Sequence, residues 1–328
     1  MTAWDFVTAV RRRLIGSAHS GVSGTRVAGL AKWNAIHTAS DRATFDPIYD
    51  VLVEPTREIE RWIESQHQVQ GWCDCCGTTV PLTVDGGPKF LQHPSLRAGM
   101  LCPRGINARA RLLLRMIRGL EMADGRCALF EAVSPLASSL KALTSLEMHL
   151  SEYVDGGVRS GEKVMVAGQL VAQQDMTATS YSANFFDVVV HSDVLEHIPR
   201  YQAALREANR ILKPGGVMMF TVPFFVELDH SVPLASVEAD GSIRHHIVPP
   251  EFHGDPVRGS VLTFWHFGWD LLTSLREAGF DVAQLRMSYD PFSGIMSDNH
   301  PTIRGGNNPP NVIYARKALD HAISEARS

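Results

Sequence analysis

Residues 185–223 read FFDVVVHSDVLEHIPRYQAALREANRILKPGGVMMFTVP, and this stretch decides the fold. Residues 185–190 form a short apolar run rich in β-branched side chains, the pattern of a strand buried on both faces. Pro199 stands where a helix begins, a position at which its missing N–H removes no hydrogen bond. Tyr201, Ala204, Leu205, Ala208, Ile211 and Leu212 then recur at helical spacing, with arginines and Glu207 on the other face. Lys213-Pro214-Gly215-Gly216 stops the helix, and residues 217–222 read as a second buried strand. Strand, helix and strand in this order make a crossover, which joins parallel strands.

Length and composition bound the rest. At 328 residues the chain exceeds one usual domain and suggests two, or one with a substantial extension. A hydrophobic content of 45% and a charged content of 20% belong to an ordinary globular protein. A net charge of −4 gives no general attraction to nucleic acid or to an anionic membrane. MTAWDFVTAVRRRLIG lacks the apolar core of a signal peptide and no stretch approaches a membrane span, so cytoplasmic residence is expected. Of the five cysteines, three fall within four positions, which points to metal binding rather than to a secreted disulfide framework.

FDVVVHSDVLEHI followed by LREANRILKPGG resembles the middle of a class I S-adenosylmethionine-dependent methyltransferase, in its small-molecule, type 11-like group. The resemblance is strongest over 170–328, weaker over 126–169 and faint over 70–120. It implies an α/β fold, a Rossmann-like doubly wound sheet of seven mostly parallel strands, over residues 126–328. Ahead of it would stand a helical region, 1–70, and a small zinc-ribbon-like module with a basic helix, 71–121. The implied chemistry is in-line displacement of the sulfonium methyl of S-adenosylmethionine by an acceptor oxygen or nitrogen. Much of the protein's work would then be alignment and exclusion of water.

The donor site is read from strand ends. CALFEAVSPLASSLKAL is a strand, a turn and a helix, with Ser134 suited to cap the helix and Pro135 to start it. In the family this turn is glycine-rich and touches the donor. Here it runs Glu131-Ala132-Val133-Ser134-Pro135, with no glycine at all. A dinucleotide pyrophosphate would suffer more from that change than S-adenosylmethionine, which has no phosphate. The next strand, 146–153, ends in Ser151-Glu152-Tyr153, which places a carboxylate where ribose hydroxyls are held. By resemblance Asp175 takes the position that accepts from the adenine amino group, with Met176 against the ring. Ser192 and Asp193 would run beside the methionine moiety.

Toward the N-terminus, Trp4, Phe6, Val7, Val10 and Leu14 make an apolar stripe beside Arg11–13, and residues 48–70 read as another helix. GWCDCCG follows. Cys73 and Cys76 have the C-x-x-C spacing of a zinc knuckle, and Cys102 stands where a second knuckle would lie. Its expected partner cysteine is absent, leaving Cys75 or His93 to complete a site, or no metal at all. Residues 106–121 form a basic helix whose arginines either steer an anionic ligand or stand wet or paired with acids while Leu112, Leu113 and Met116 pack inward.

Residues 224–262 form a long, proline- and histidine-rich insertion within the catalytic domain, and such a length is usually functional. It is read as a lid facing the acceptor, with a divalent-metal site and a solvated polar hairpin turning at Ala239-Asp240-Gly241 as the other readings. His197, just before Pro199, and His253 are the candidate bases, although His197 serves equally as a turn-fixing residue. His245, His246 and Asp255 are the candidate acceptor contacts. The expected acceptor is a small metabolite or glycan unit, most simply methylated on oxygen. Nucleic acid and membrane are not expected partners, and oligomerisation stays open. Two rivals are kept: a non-catalytic protein that retains the fold, and an RNA methyltransferase guided by the cysteine module and basic helix.

Overall fold

The computed structural model describes residues 35–52, 57–84, 89–90, 93–154, 157–255, 257–296 and 310–319. The Trp4–Leu14 stripe, the arginines at 11–13, nearly all of the 19–35 segment and most of the 293–310 loop lie outside the described residues. The chain divides into two compact units, 1–119 with 286–312, and 120–285 with 313–328.

In the second unit the chain begins with strand Arg126–Leu129 (β1), helix Pro135–Leu143 (α1) and strand Glu147–Glu152 (β2). Ser134 accepts from the Ala137 N–H and Pro135 opens α1, as that tripeptide predicts. Strands Lys163–Val166 (β3) and Gln169–Gln173 (β4) form an antiparallel pair turning through Ala167 and Gly168, both at positive φ. The deciding stretch then supplies strand Phe186–Ser192 (β5), helix Tyr201–Ile211 (α2) and strand Leu212–Thr221 (β6). After a long insertion come helix Asp270–Glu277 (α3) and strands Phe280–Met287 (β7) and Asn311–Lys317 (β8).

These strands lie in the order β7-β8-β6-β5-β1-β2-β4-β3. β5 pairs in parallel with both β6 and β1, β1 with β2, and β2 with β4; β8 runs antiparallel to β6. The chain winds outward from β1, returns to β5 and winds the other way. The carboxyl ends of β1 and β5 therefore flank the point at which the winding reverses, where ligands sit in such sheets. The expected doubly wound sheet is present, with β3 added at one edge.

Packing follows the periodicities. Phe186 and Val188 to Val190 of β5 are fully buried, as are Ala204, Leu205 and Ile211 of α2. Burying each large side chain of this kind stabilises by roughly 1.5–3 kcal/mol. α2 starts two residues after Pro199, and a short 3₁₀ turn, Leu195–His197, lies between β5 and that proline. It ends at Ile211, and β6 begins at once. Lys213-Pro214-Gly215-Gly216 is thus inside the strand, where the pairing register with β5 shifts between Phe186 and Val188. Lys213 Nζ reaches both carboxylate oxygens of Asp187 at 2.8 Å, and a Cβ on Gly216 would stand 2.8 Å from the Lys213 carbonyl and 3.1 Å from that of Asp187.

In the first unit the sequence predicts one helix over 48–70. Two are present, Arg42–Leu52 and Arg57–Glu64, before a hairpin of Gln68–Cys73 with Thr78–Thr83. The basic helix runs over Ala108–Arg118 and buries Leu112, Leu113 and Met116. Two of its arginines are structural. Arg111 is fully buried and donates to the Ile106, Met100 and Gly294 carbonyls, while Arg115 pairs with Asp74 and Asp290. Among the described residues no helix is long and apolar enough to cross a membrane.

Gly216→Ala is expected to destabilise the protein by about 1–3 kcal/mol through overpacking at the bulge. Denaturant titration checks this; an unchanged midpoint would mean that the Lys213 and Asp187 carbonyls yield freely.

Candidate active site

Two sets of residues meet the carboxyl edge of the sheet where its winding reverses. On the β1 side, Glu131, Ala132, Val133 and Ser134 link β1 to α1. None of the four needs positive φ, so the turn forms without glycine. It is held instead by hydrogen bonds: the Ala132 N–H donates to the Ser151 carbonyl, and the Val133 N–H to Glu152 Oε1 at 3.1 Å. Glu152 thus stands against the first turn at the end of β2. Burial raises its pKa above the ordinary carboxylate value, against the lowering effect of the Val133 N–H. Asp175 closes a local turn by accepting from the Thr177 N–H and hydroxyl, and Met176 beside it is buried.

On the β5 side, Asp193 takes a left-handed conformation, φ 53°, as the chain leaves the strand. Its N–H donates to the Thr221 carbonyl and its carboxylate accepts from the Thr221 hydroxyl, which also meets Ser192 Oγ at 2.9 Å. Thr221 of β6 thereby fixes the two residues at the end of β5. His191, one residue earlier, is fully buried and stacks on Phe220; burial holds its pKa at about 3, so it is a neutral core residue.

The insertion arches over both sides. It contains two hairpins, Ala235–Val237 with Ile243–His245 and Phe252–Asp255 with Gly259–Leu262. The first is the polar hairpin, with the turn at Asp240-Gly241. The second is the part of the insertion expected to act as the lid. Near its tip Asp255 accepts from the Val257 and Arg258 N–H groups and pairs with the Arg258 guanidinium. Val257, with Val133, Leu150, Val154 and Val164, packs against a cluster of Ala132, Val166 and Val171, and Arg258 lies over the Tyr153 ring. Its base is pinned beyond β5: Phe264 N–H donates to the Glu196 carbonyl, His197 Nδ1 to the Leu262 carbonyl, and Trp265 Nε1 to the Pro199 carbonyl.

That pinning brings His197 and His253 together, ring centroids 5.2 Å apart and perpendicular. Between them points the carboxylate of Glu196, fully buried, 3.8 Å from His197 Nε2 and 3.7 Å from His253 Nδ1. Glu251 holds the far side, accepting from His253 Nε2 at 3.0 Å and from His266 Nε2 at 2.9 Å. Burial lowers the basicity of His253, but Glu196 and Glu251 outweigh it and raise its pKa to about 9. The two imidazoles hold Glu251 well below the usual carboxylate range.

The structure thus joins His197 and His253, sets Asp255 at the lid tip, and leaves His245 and His246 exposed on the first hairpin. Glu251 is one of the carboxylates that the sequence places in the histidine-rich insertion, whereas Glu196 and His266 went unread. Glu196 sits in an apolar context, and its approach to His253, 57 residues later, has no local signal.

In the first unit, Cys73, Cys75, Cys76 and Cys102 place their Sγ atoms within 4.8 Å of one another. Cys73 and Cys102 each begin a tight turn closed by glycine, Gly77 and Gly105, both at positive φ. Cys75 is therefore the fourth sulfur. A hydrogen bond from Cys73 lowers Cys102 to about 5 against its burial, while the same bond pushes Cys73 up.

Residues 136–220, from α1 through β6, match the family model of a methyltransferase domain. Among solved structures, the chain is similar to the [4+2]-cyclase SpnF (14% identity, 85% of this chain and 98% of that one, TM-score 0.43). It is also similar to an S-adenosylmethionine-dependent methyltransferase from Mesorhizobium loti (12%, 64% and 98%, TM-score 0.41) and to one from Methanosarcina mazei (14%, 62% and 98%, TM-score 0.38). No curated protein matches the sequence.

Glu251→Gln removes the charge that both His253 and His266 face and is expected to loosen the second hairpin. Limited proteolysis should cut within 252–262 faster than in the wild type, with the sheet otherwise intact; an unchanged cleavage rate would show that the backbone pins alone hold the lid.

Proposed function

Because the chain carries a class I S-adenosylmethionine-dependent methyltransferase domain, we propose that it methylates a hydroxyl of a small metabolite or a sugar unit. The observation that carries this reading is the second hairpin, which joins the cluster that contains Ala132 through Val257 and meets the β5 exit through His253. An acceptor held beneath it is enclosed on both sides, which suits a small molecule better than a polymer. Arg111 and Arg115 are occupied within the first unit, which leaves two of the basic helix's cations unavailable to RNA. Five free thiols support a reducing, cytoplasmic setting.

The residues present fit the donor. Glu152 would accept the ribose hydroxyls, with Glu131, Ala132, Ser134 and Tyr153 around it. Asp175 and Met176 would take the adenine, and Ser192 and Asp193 the methionine end. S-adenosylmethionine supplies a methyl already made electrophilic by its sulfonium. The protein aligns the acceptor oxygen with the methyl–sulfur bond and excludes water under the lid. A hydroxyl must also lose its proton, and His197 and His253 about Glu196 are the groups placed to handle it.

A half-buried carboxylate kept for ribose has a stability cost. Glu152 binds its proton more tightly folded than unfolded, so stability falls as pH rises from about 4.5, its ordinary value, through the raised folded value. Glu152→Gln should flatten that fall and raise the thermal midpoint at neutral pH, yet weaken S-adenosylhomocysteine binding at least ~10-fold, equivalent to about 1.4 kcal/mol. Calorimetric titration beside thermal unfolding reads both, and undiminished binding would remove Glu152 from the donor site.

The second reading concerns the cysteines. Four sulfurs within 4.8 Å, two of them opening glycine-closed turns, suit a tetrahedral structural zinc. Elemental analysis is expected to find zinc that Cys75→Ser and Cys102→Ser each lose, with a fall in thermal stability; equal zinc in the Cys75→Ser protein would exclude Cys75 as a ligand.

A further inference from the structure

We propose that Glu196, His197 and His253 bind a divalent transition-metal cation. The three ligand atoms lie within 4.8 Å of one another, two imidazole nitrogens facing one carboxylate oxygen. Glu196 is fully buried, and among the described residues neither of its carboxylate oxygens has a hydrogen-bond partner. Burying a carboxylate that way costs several kcal/mol unless a cation compensates it.

The hydrogen bonds around the histidines decide what that cation is. His197 Nδ1 lies 2.8 Å from the Leu262 carbonyl, an acceptor, so Nδ1 carries the proton. His253 Nε2 lies 3.0 Å from the Glu251 carboxylate, so Nε2 carries the proton there. A metal that displaces the proton held on His253 by Glu196 and Glu251 leaves the lone pairs on His197 Nε2 and His253 Nδ1, and these are the atoms that face Glu196. At 3.8 and 3.7 Å neither is at hydrogen-bonding distance from the carboxylate. Two lone pairs and a carboxylate around a common centre make a ligand set. Metal–nitrogen and metal–oxygen bonds of about 2.0–2.2 Å put neighbouring ligand atoms roughly 3.0–3.4 Å apart, so each nitrogen must close on the carboxylate oxygen by about 0.3–0.8 Å from the present 3.8 and 3.7 Å. A carboxylate or backbone carbonyl holding the far nitrogen of each histidine is the usual outer shell of a metal site, and Glu251 and Leu262 provide both forms. Two imidazoles and one carboxylate select a transition metal over calcium or magnesium.

Three protein ligands leave positions open for water or another oxygen. The role of the cation, unlike the site, rests on the methyl-transfer reading. An acceptor hydroxyl bound there would lose its proton to solvent more readily. Its oxygen would then form the bond to the methyl carbon as the carbon–sulfur pair returns to sulfur and neutralises the sulfonium. His253, 31% exposed, leaves the site reachable from outside.

The test uses the full chain, stripped with a chelator and titrated with zinc or cobalt chloride alone. Wild-type protein should bind one equivalent more than Glu196→Gln, and cobalt at this site should give the weak visible bands of nitrogen and oxygen ligands rather than thiolate charge transfer. Those bands should persist when Cys75 and Cys102 are replaced by serine. Glu251→Gln keeps all three ligands and should weaken binding by about 10–100-fold. Should Glu196→Gln not fold, His253→Asn, altering a partly exposed ring, serves in its place. Equal metal uptake by wild type and the folded variant, with the same cobalt spectrum, overturns the proposal. No donor or acceptor enters the titration, so its failure leaves the methyl-transfer reading standing, and failure to bind S-adenosylhomocysteine leaves the metal result standing.

Discussion

The parallel pairing of β5 with β1 on one side and β6 on the other is the constraint on which the second unit depends. A parallel pair cannot be closed by a tight turn, so α2 must cross over the sheet, and its apolar face must be buried to do so. Because the chain has already wound outward from β1 through β2 and β4, the return to β5 opens a crevice at the carboxyl ends of two adjacent strands. Glu131 to Ser134 border that crevice from β1, and Ser192 and Asp193 from β5. Thr221 of β6 then locks the β5 exit by meeting the Asp193 carboxylate and the Ser192 hydroxyl.

The insertion takes its position from the same strand exit. Three of its anchors fall on residues 196–199, between β5 and α2: the Glu196 carbonyl, His197 Nδ1 and the Pro199 carbonyl. A hairpin fixed at its base by backbone-directed bonds and near its tip by Val257 has little freedom to pack elsewhere. The same anchoring explains why a carboxylate is buried there. Once Leu262 and Phe264 are held against the β5 exit, Glu196 is enclosed between His197 and His253, and the ligand-like geometry follows from the pairing that builds the lid.

How much of this was legible in the sequence depended on the range of the interactions. Residues 185–223 disclosed strand, helix and strand because buried strands and amphipathic helices write their own periodicity. Ser134-Pro135 disclosed the start of α1 because capping is local. Lys213-Pro214-Gly215-Gly216 was read as a helix stop, which it is, but its place inside β6 needs Asp187 as the lysine's partner, 26 residues away. The glycine-free first turn looked like a defect; its geometry needs no positive φ and is held by Glu152 and the Ser151 carbonyl, neither of which the turn itself contains. His197 and His253 were singled out separately, but that they meet, and that Glu196 lies between them, is a fact of lid packing. Cys75 was one of two candidates for a fourth ligand, beside His93, because the sequence has no second cysteine next to Cys102. The return of residues 286–312 to the first unit had no local signature.

A donor bound at the reversal of the sheet, beside a first turn without glycine, should be visible in a crystal structure of the protein soaked with S-adenosylhomocysteine. Density for the ligand is expected between Glu131–Ser134 and Ser192–Asp193, with its ribose on Glu152 and its sulfur directed toward the space beneath the second hairpin. An empty crevice at saturating ligand, with Val257 still packed against the cluster that contains Ala132, would contradict that placement.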